Sequence, residues 1–143
     1  MKLVAALDIR AGEAASVQME RIARWVEKAP ASVVDLVYVD PKGDWHPNLN
    51  SPALRERITR ELQQMIAVDR ATLTSFLAKL PASNRGEVAV LAGDPVEVLF
   101  EVAKGYDAVI VGPGKKGFER LLLGSIANRV VGGAPVPVLV LRP

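Results

Sequence analysis

Five short apolar runs recur along the chain, each closed by residues that favour turns. Residues 3–7 run to Asp8. Residues 33–39, interrupted by Asp35, run to Asp40-Pro41. Residues 88–92 run to Gly93-Asp94-Pro95, and residues 108–111 run to Gly112-Pro113-Gly114. The last run extends from Val136 to Leu141. Short, β-branched runs of this kind are expected of strands buried on both faces. Between them the apolar positions change period. Ala15, Met19, Ile22, Ala23 and Val26 recur at spacings of three and four. So do Leu54, Ile58, Leu62, Met65, Ile66, Leu73, Phe76, Leu77 and Leu80, with Asp69 falling on the stripe. Such spacings predict amphipathic helices. Asp69 itself reads as a carboxylate at a helix edge or bend. A third helix is well punctuated, with Asp94 as cap, Pro95 at its first position, Glu97 at capping-box spacing and Gly105 at its end. A fourth runs from about Ser125 to Gly132-Gly133.

Strands that alternate with helices predict a parallel sheet with right-handed crossovers and helices on both faces. The expected class is therefore α/β, a three-layer α/β/α open sandwich around five strands. The 143 residues form one domain, residues 1–143, by the ordinary size relation. Residues 40–52 are the longest irregular stretch and read as a surface loop. No run approaches the length of a membrane span, and the first eight residues are too briefly apolar for a signal peptide, so a cytoplasmic location is expected.

Composition narrows the chemistry by exclusion. There is no Cys, so disulfides, thiolate metal sites and cysteine nucleophiles are ruled out. The single His, His46, stands beside Trp45 without a His or Cys partner, and an exposed loop residue is its ordinary reading. Lys and Arg number 18 against 16 Asp and Glu, and aromatics make up 5% of residues, which is poor material for holding nucleic acid. No nucleophile elbow and no Walker-type loop is present.

In an open parallel sheet, ligands bind beyond the carboxyl ends of the strands, where the winding reverses. Two strand ends stand out. The first run ends in Asp8. The fourth ends in Gly112-Pro113-Gly114 and leads past Lys115, Lys116, Gly117 and Arg120 to Gly124-Ser125, which opens the last helix. Taken singly, each has a plain structural reading: a tight turn for the glycines, a helix cap for Ser125 or Asp8, a solvated surface position for Arg120 and Arg129. Together, bare glycine backbone, a helix N-terminus with free N–H groups and nearby lysines point to a ligand that carries phosphate.

The same residues carry a resemblance. Gly93-Asp94-Pro95-Val96-Glu97, Tyr106-Asp107-Ala108-Val109-Ile110-Val111-Gly112, Leu121-Leu122-Leu123-Gly124-Ser125-Ile126-Ala127 and Ala134-Pro135-Val136-Pro137-Val138-Leu139-Val140 resemble the universal stress protein family over the whole chain. Asp8, and Val39-Asp40 at the end of the second run, match it too. The resemblance implies a Rossmann-like sheet of order 3-2-1-4-5 and a homodimer, here through the last strand, Val136 to Leu141. In the ATP-binding branch of that family the pattern is G-x-x-G, nine residues, then G-[S/T]. That implies adenosine contacts at Asp8 and the backbone near Val39, and ribose and phosphate contacts at Gly112, Gly114, Gly124 and Ser125, with ATP and its Mg as the ligand.

This chain departs from the pattern in two places. Gly112-Pro113-Gly114 is one residue short, and Pro113 lacks an N–H. Ile9-Arg10 stands where family members often carry Gly-Ser, and Arg10 is either a solvated loop side chain or a phosphate contact. Three functions follow: an ATP-binding, homodimeric regulator of the stress response; a family member that binds no nucleotide and acts through its dimer and partner surfaces; or a weak ATP hydrolase. The lack of an evident general base favours binding over catalysis.

Overall fold

The computed structural model describes residues 1–41, 50–112 and 124–142. Its elements are β1 (Lys2–Ala6), α1 (Glu13–Lys28), β2 (Val33–Asp40), α2 (Pro52–Leu77), β3 (Arg85–Ala92), α3 (Pro95–Ala103), β4 (Ala108–Val111), α4 (Ser125–Gly133) and β5 (Val138–Val140). Short 3-10 turns precede α1 (Ile9–Ala11) and β3 (Ala82–Asn84). The five strands form one sheet of order β3-β2-β1-β4-β5, with every pairing parallel. This is the expected Rossmann-like arrangement.

Alternation along the strands divides the core between two faces. Leu3 and Ala5 of β1, with Leu36 of β2 and Ile110 of β4, pack on one face under Met19, Ile22 and Val26 of α1 and Leu73 and Leu77 of α2. Val4, Val37 and Val109 pack on the other under Val96, Leu99 and Ala103 of α3 and Val130 of α4. The capping expectation for α3 holds: the Asp94 carboxylate accepts the Glu97 N–H at 3.0 Å, with Pro95 at the first helical position.

Two strands and one helix differ from expectation. The third strand begins at Arg85, three residues early. The fifth is Val138–Val140, shorter than the run from Val136 to Leu141. Pro137 has no N–H to offer; its carbonyl accepts from Val109 N–H at 2.9 Å, and the regular ladder starts after it. α2 is a single helix of 26 residues, about 39 Å long at the usual rise, and longer than the sheet it crosses. Only Leu73 and Leu77 within it are buried. Leu54, Met65 and Ile66 lie on the predicted stripe but are 49%, 45% and 42% exposed, because this half of the helix extends past the strands. Among the described residues, no helix is long and apolar enough to cross a membrane.

Asp35, the break in the second apolar run, is explained by its neighbours. Its carboxylate accepts the Glu87 N–H at 2.8 Å and the Tyr106 hydroxyl. Burial, reinforced by this bond to Asp35, pushes the Tyr106 phenol well above its ordinary range. The β2–β3 register slips here, with Val34 opposite Arg85 but Leu36 opposite Val88, so β3 carries one extra residue. Gly86 sits in that bulge. A Cβ on it would lie 1.8 Å from Asp35 Oδ1 and 2.9 Å from the Val34 carbonyl. The carboxylate is tied by two donors and the carbonyl is backbone, so neither yields easily. Gly86→Ala is therefore expected to lower stability by about 1–3 kcal/mol, the usual range for overpacking, read as a lower denaturant midpoint with an unchanged slope.

Candidate functional site

β1 is hydrogen-bonded on both sides, and its registers decide which strand ends meet. Ala6 lies opposite Val37 of β2, and Ala5 opposite Ile110 of β4. Carried forward, these registers set Asp8 beside Val39 and Leu7 beside Gly112. The Leu7 N–H still donates to the Val37 carbonyl, at 2.9 Å, so the pairing persists past the formal end of β1. Asp8, Val39 and Gly112, all singled out from the sequence, thus lie on three adjacent strands within one residue of the same level at the carboxyl end of the sheet.

Each has a distinct local setting. Asp8 caps the 3-10 turn, accepting the Arg10 N–H at 3.2 Å, and does not cap α1 itself. The cap of α1 is Gly12, whose φ of 62° is a conformation that favours glycine. Val39 is buried, pairs with Leu91 and belongs to the α3 side of the core, so only its backbone can face a ligand. Gly112 presents bare backbone, and a Cβ there would lie 3.4 Å from Gln18 Oε1. Ser125 is not the cap of α4, as it first read. Gly124 is the cap, with no side-chain hydrogen bond, and Ser125 is the exposed first helical residue. The opening N–H groups of α4 have no intrahelical acceptor. Gly114 lies outside the described residues, as do Pro113, Lys115, Lys116, Gly117, Arg120, Trp45 and His46.

Arg10 is neither a free loop side chain nor aimed at α4. Its Nη2 lies 3.3 Å from Asp40 Oδ2 and 3.2 Å from Asp69 Oδ2, and its guanidinium stands 5.5 Å from the centre of the Tyr38 ring. Burial acts to lower its pKa, but the Asp69 hydrogen bond and the surrounding negative charge outweigh it, so the net direction is upward. Burial also raises the Tyr38 phenol, partly opposed by Arg10. This accounts for Asp69, the lone charge on the α2 stripe. Arg10 ties the β1–α1 turn to β2 and α2, and an open groove of about 420 Å³ runs beside it, lined by Glu61, Gln64, Met65, Val68 and Asp69. The groove lies along α2, with Arg10 of the β1–α1 turn in its lining. Arg129 likewise pairs with Asp94 at 3.5 Å, joining α4 to α3.

Gln18 was not singled out from the sequence, although its spacing from Ala15 and Ile22 sets it on the buried stripe of α1. Its side chain is buried, and among the described residues neither Oε1 nor Nε2 has a hydrogen-bond partner.

Comparison with known proteins agrees with this architecture. The model of the universal stress protein family matches residues 1–142. The curated Universal stress protein MJ0531 of Methanocaldococcus jannaschii is 45% identical over 56 residues, a match covering 37% of this chain and 33% of that relative, about a third of its length. Among solved structures, universal stress protein UspA from Lactobacillus plantarum superposes with a TM-score of 0.70 at 22% identity, covering 99% of this chain and 97% of that one. A universal stress protein solved in complex with cAMP gives 0.55 at 20% identity, covering 98% and 94%.

The Arg10 bridge gives a direct test of the site's frame. Arg10 is 46% exposed at its side chain while the two carboxylates are 17% and 13% exposed, so salt screens the contact in part. Arg10→Gln is expected to cost about 0.5–1 kcal/mol at low ionic strength. The cost should shrink in molar salt, as read from denaturant melts at the two salt concentrations.

Proposed function

We propose that this chain, which belongs to the universal stress protein family, binds an adenine nucleotide, ATP in the first instance, in the crevice between the ends of β1 and β4, and works as a cytoplasmic, homodimeric regulator of the stress response. The observation that carries the reading is the adjacency of the carboxyl ends of β2, β1 and β4, whose registers carried forward set Val39, Asp8 and Gly112 within one residue of the same level.

The crevice residues fit such a ligand. Gly112 offers backbone without a side chain, and α4 opens at Gly124 with N–H groups unclaimed by any side-chain cap. An anion is stabilised at such a helix start. The opposite end is electrically different. Asp40 and Asp69 hold the Arg10 guanidinium there and Asp8 accepts the Arg10 N–H, a set of carboxylates that disfavours phosphate. The nucleotide would therefore lie with its phosphates toward Gly124-Ser125, and its adenosine toward Asp8 and the Val39 backbone. A divalent cation would arrive as the counter-ion of the phosphates. The universal stress protein solved with cAMP, of the same fold, supports an adenine nucleotide as the ligand class.

The reading is one of binding rather than turnover, since the residues assembled here include no nucleophile paired with a base. The shortened Gly112-Pro113-Gly114 favours a second reading, a family member that holds no nucleotide, and the same experiment separates the two. Mg-ATP at 100 times its dissociation constant should stabilise the wild-type protein by about 2.7 kcal/mol, read as a rise in Tm. Gly124 has φ −63°, which any residue adopts, so Gly124→Trp tests space rather than backbone. It is expected to abolish that rise while leaving the ligand-free Tm nearly unchanged. No rise for the wild type at millimolar Mg-ATP would favour the second reading.

The assembly is argued from the edge of the sheet. β5 is half-buried, pairs only with β4 and leaves its other edge without a neighbouring strand in the described sheet. A second copy would cover that edge. Sedimentation at micromolar concentration should then give twice the 15.4 kDa of one chain, and a monomer would contradict this part of the proposal.

A further inference from the structure

Gln18 is the point in the molecule where chemistry is left incomplete. It lies on α1 between Ala15 and Ile22, on the face turned to the sheet, and is only 6% exposed. Among the described residues, both its amide oxygen and its amide nitrogen lack a hydrogen-bond partner. Buried polar groups are nearly always paired, and an orphan is costly, so a retained one calls for a reason.

Its position supplies one. Ile110 packs on the α1 side of the sheet and Val111 on the α3 side, so residue 112 turns again toward α1. That residue is Gly112, and the Gln18 amide occupies the neighbourhood its side chain would have entered, with Oε1 at 3.4 Å and Nε2 at 3.7 Å from the absent Cβ. The amide therefore lies against bare strand-end backbone, at the α1 wall of the β1–β4 crevice. Three side-chain torsions separate it from its own backbone, and contact with a ligand in the crevice requires a change of rotamer about them.

The pairing it lacks selects the partner's chemistry. The amide offers one acceptor, Oε1, and two donors on Nε2. A phosphate oxygen accepts only, and would leave Oε1 orphaned. A hydroxyl both donates and accepts, and a vicinal diol can satisfy both ends of the amide together. We propose that Gln18 determines specificity at this site by hydrogen bonding to a ribose hydroxyl of the bound nucleotide. The inference rests on the nucleotide reading above and goes beyond it by naming the group recognised and the residue that recognises it.

The test measures affinity of the full chain for Mg-ATP, Mg-2′-deoxy-ATP and Mg-3′-deoxy-ATP by titration calorimetry, for the wild type and for Gln18→Met. Methionine keeps the length and helix preference of glutamine but carries neither polar end. A site built to bond a hydroxyl rejects the analogue that lacks it. The wild type should bind one of the two deoxynucleotides at least about tenfold more weakly than ATP. In Gln18→Met that difference should vanish, because ATP falls to the level of the deoxynucleotide. The ligand-free Tm of the variant should not fall, since an orphaned amide has been removed from apolar surroundings. Wild-type protein that binds all three nucleotides equally would overturn the proposal without any variant, and so would Gln18→Met binding ATP as tightly as the wild type. Both of those results leave the nucleotide reading standing. Wild-type protein that binds none of the three overturns the nucleotide reading, and this proposal with it.

Discussion

Everything at the candidate site depends on β1 being paired in parallel on both of its edges. Its central residues Leu3, Val4 and Ala5 are almost wholly buried, with helices on each face, so the strand has no freedom to slip. A shift of one residue would turn Leu3 and Ala5 to the α3 side and Val4 to the α1 side, mismatching both halves of the core at once. That rigidity is transmitted to the strand's end. Asp8 emerges at the first position free of the sheet, and the registers to β2 and β4 bring Val39 beside it and Gly112 beside the preceding Leu7. The crevice is therefore a consequence of packing, and its residues need no contact with one another to be aligned.

The chemistry that such a place can do is set by what surrounds it. One side is backbone: a glycine at the end of β4 and the uncapped start of α4. The other holds Asp40 and Asp69 on the Arg10 guanidinium, with Asp8 on the Arg10 backbone N–H, which braces the β1–α1 turn against β2 and α2. The two sides differ in the sign of charge they welcome, and a molecule with an anionic tail and a neutral head is oriented by that difference alone. The role proposed for this arrangement is to recognise and orient a ligand. Gln18, buried beside Gly112 with both amide ends unpaired, adds a side chain able to make that recognition selective.

Much of this was legible in the sequence, and the reasons differ by residue. The fold was legible because the change from continuous apolar runs to three-four spacing is a direct imprint of buried strands and one-sided helices. Asp8 and Gly112 were legible as strand-end punctuation. The adjacency of β1 and β4 entered through the family resemblance, since no local pattern encodes strand order. The Arg10 bridge was not legible, because Asp40 and Asp69 are 30 and 59 residues distant in sequence. Gly86 and Asp35 are a pair of the same kind: a charge within an apolar run and a glycine in another strand explain each other only once β2 and β3 are side by side. The apolar stripe of α2 overstated burial, since periodicity reports a face and not whether anything lies against it. Ser125 was misassigned by one position because Gly and Ser are both good caps.

The most direct test of the central claim is a crystal structure grown with ATP and Mg. The account predicts one nucleotide per chain at the carboxyl end of the sheet, its adenosine beside Asp8 and Val39, its ribose by Gly112 and its phosphates at the start of α4. A nucleotide found elsewhere, such as in the groove along α2, or a crevice without nucleotide at saturating concentration, would contradict it.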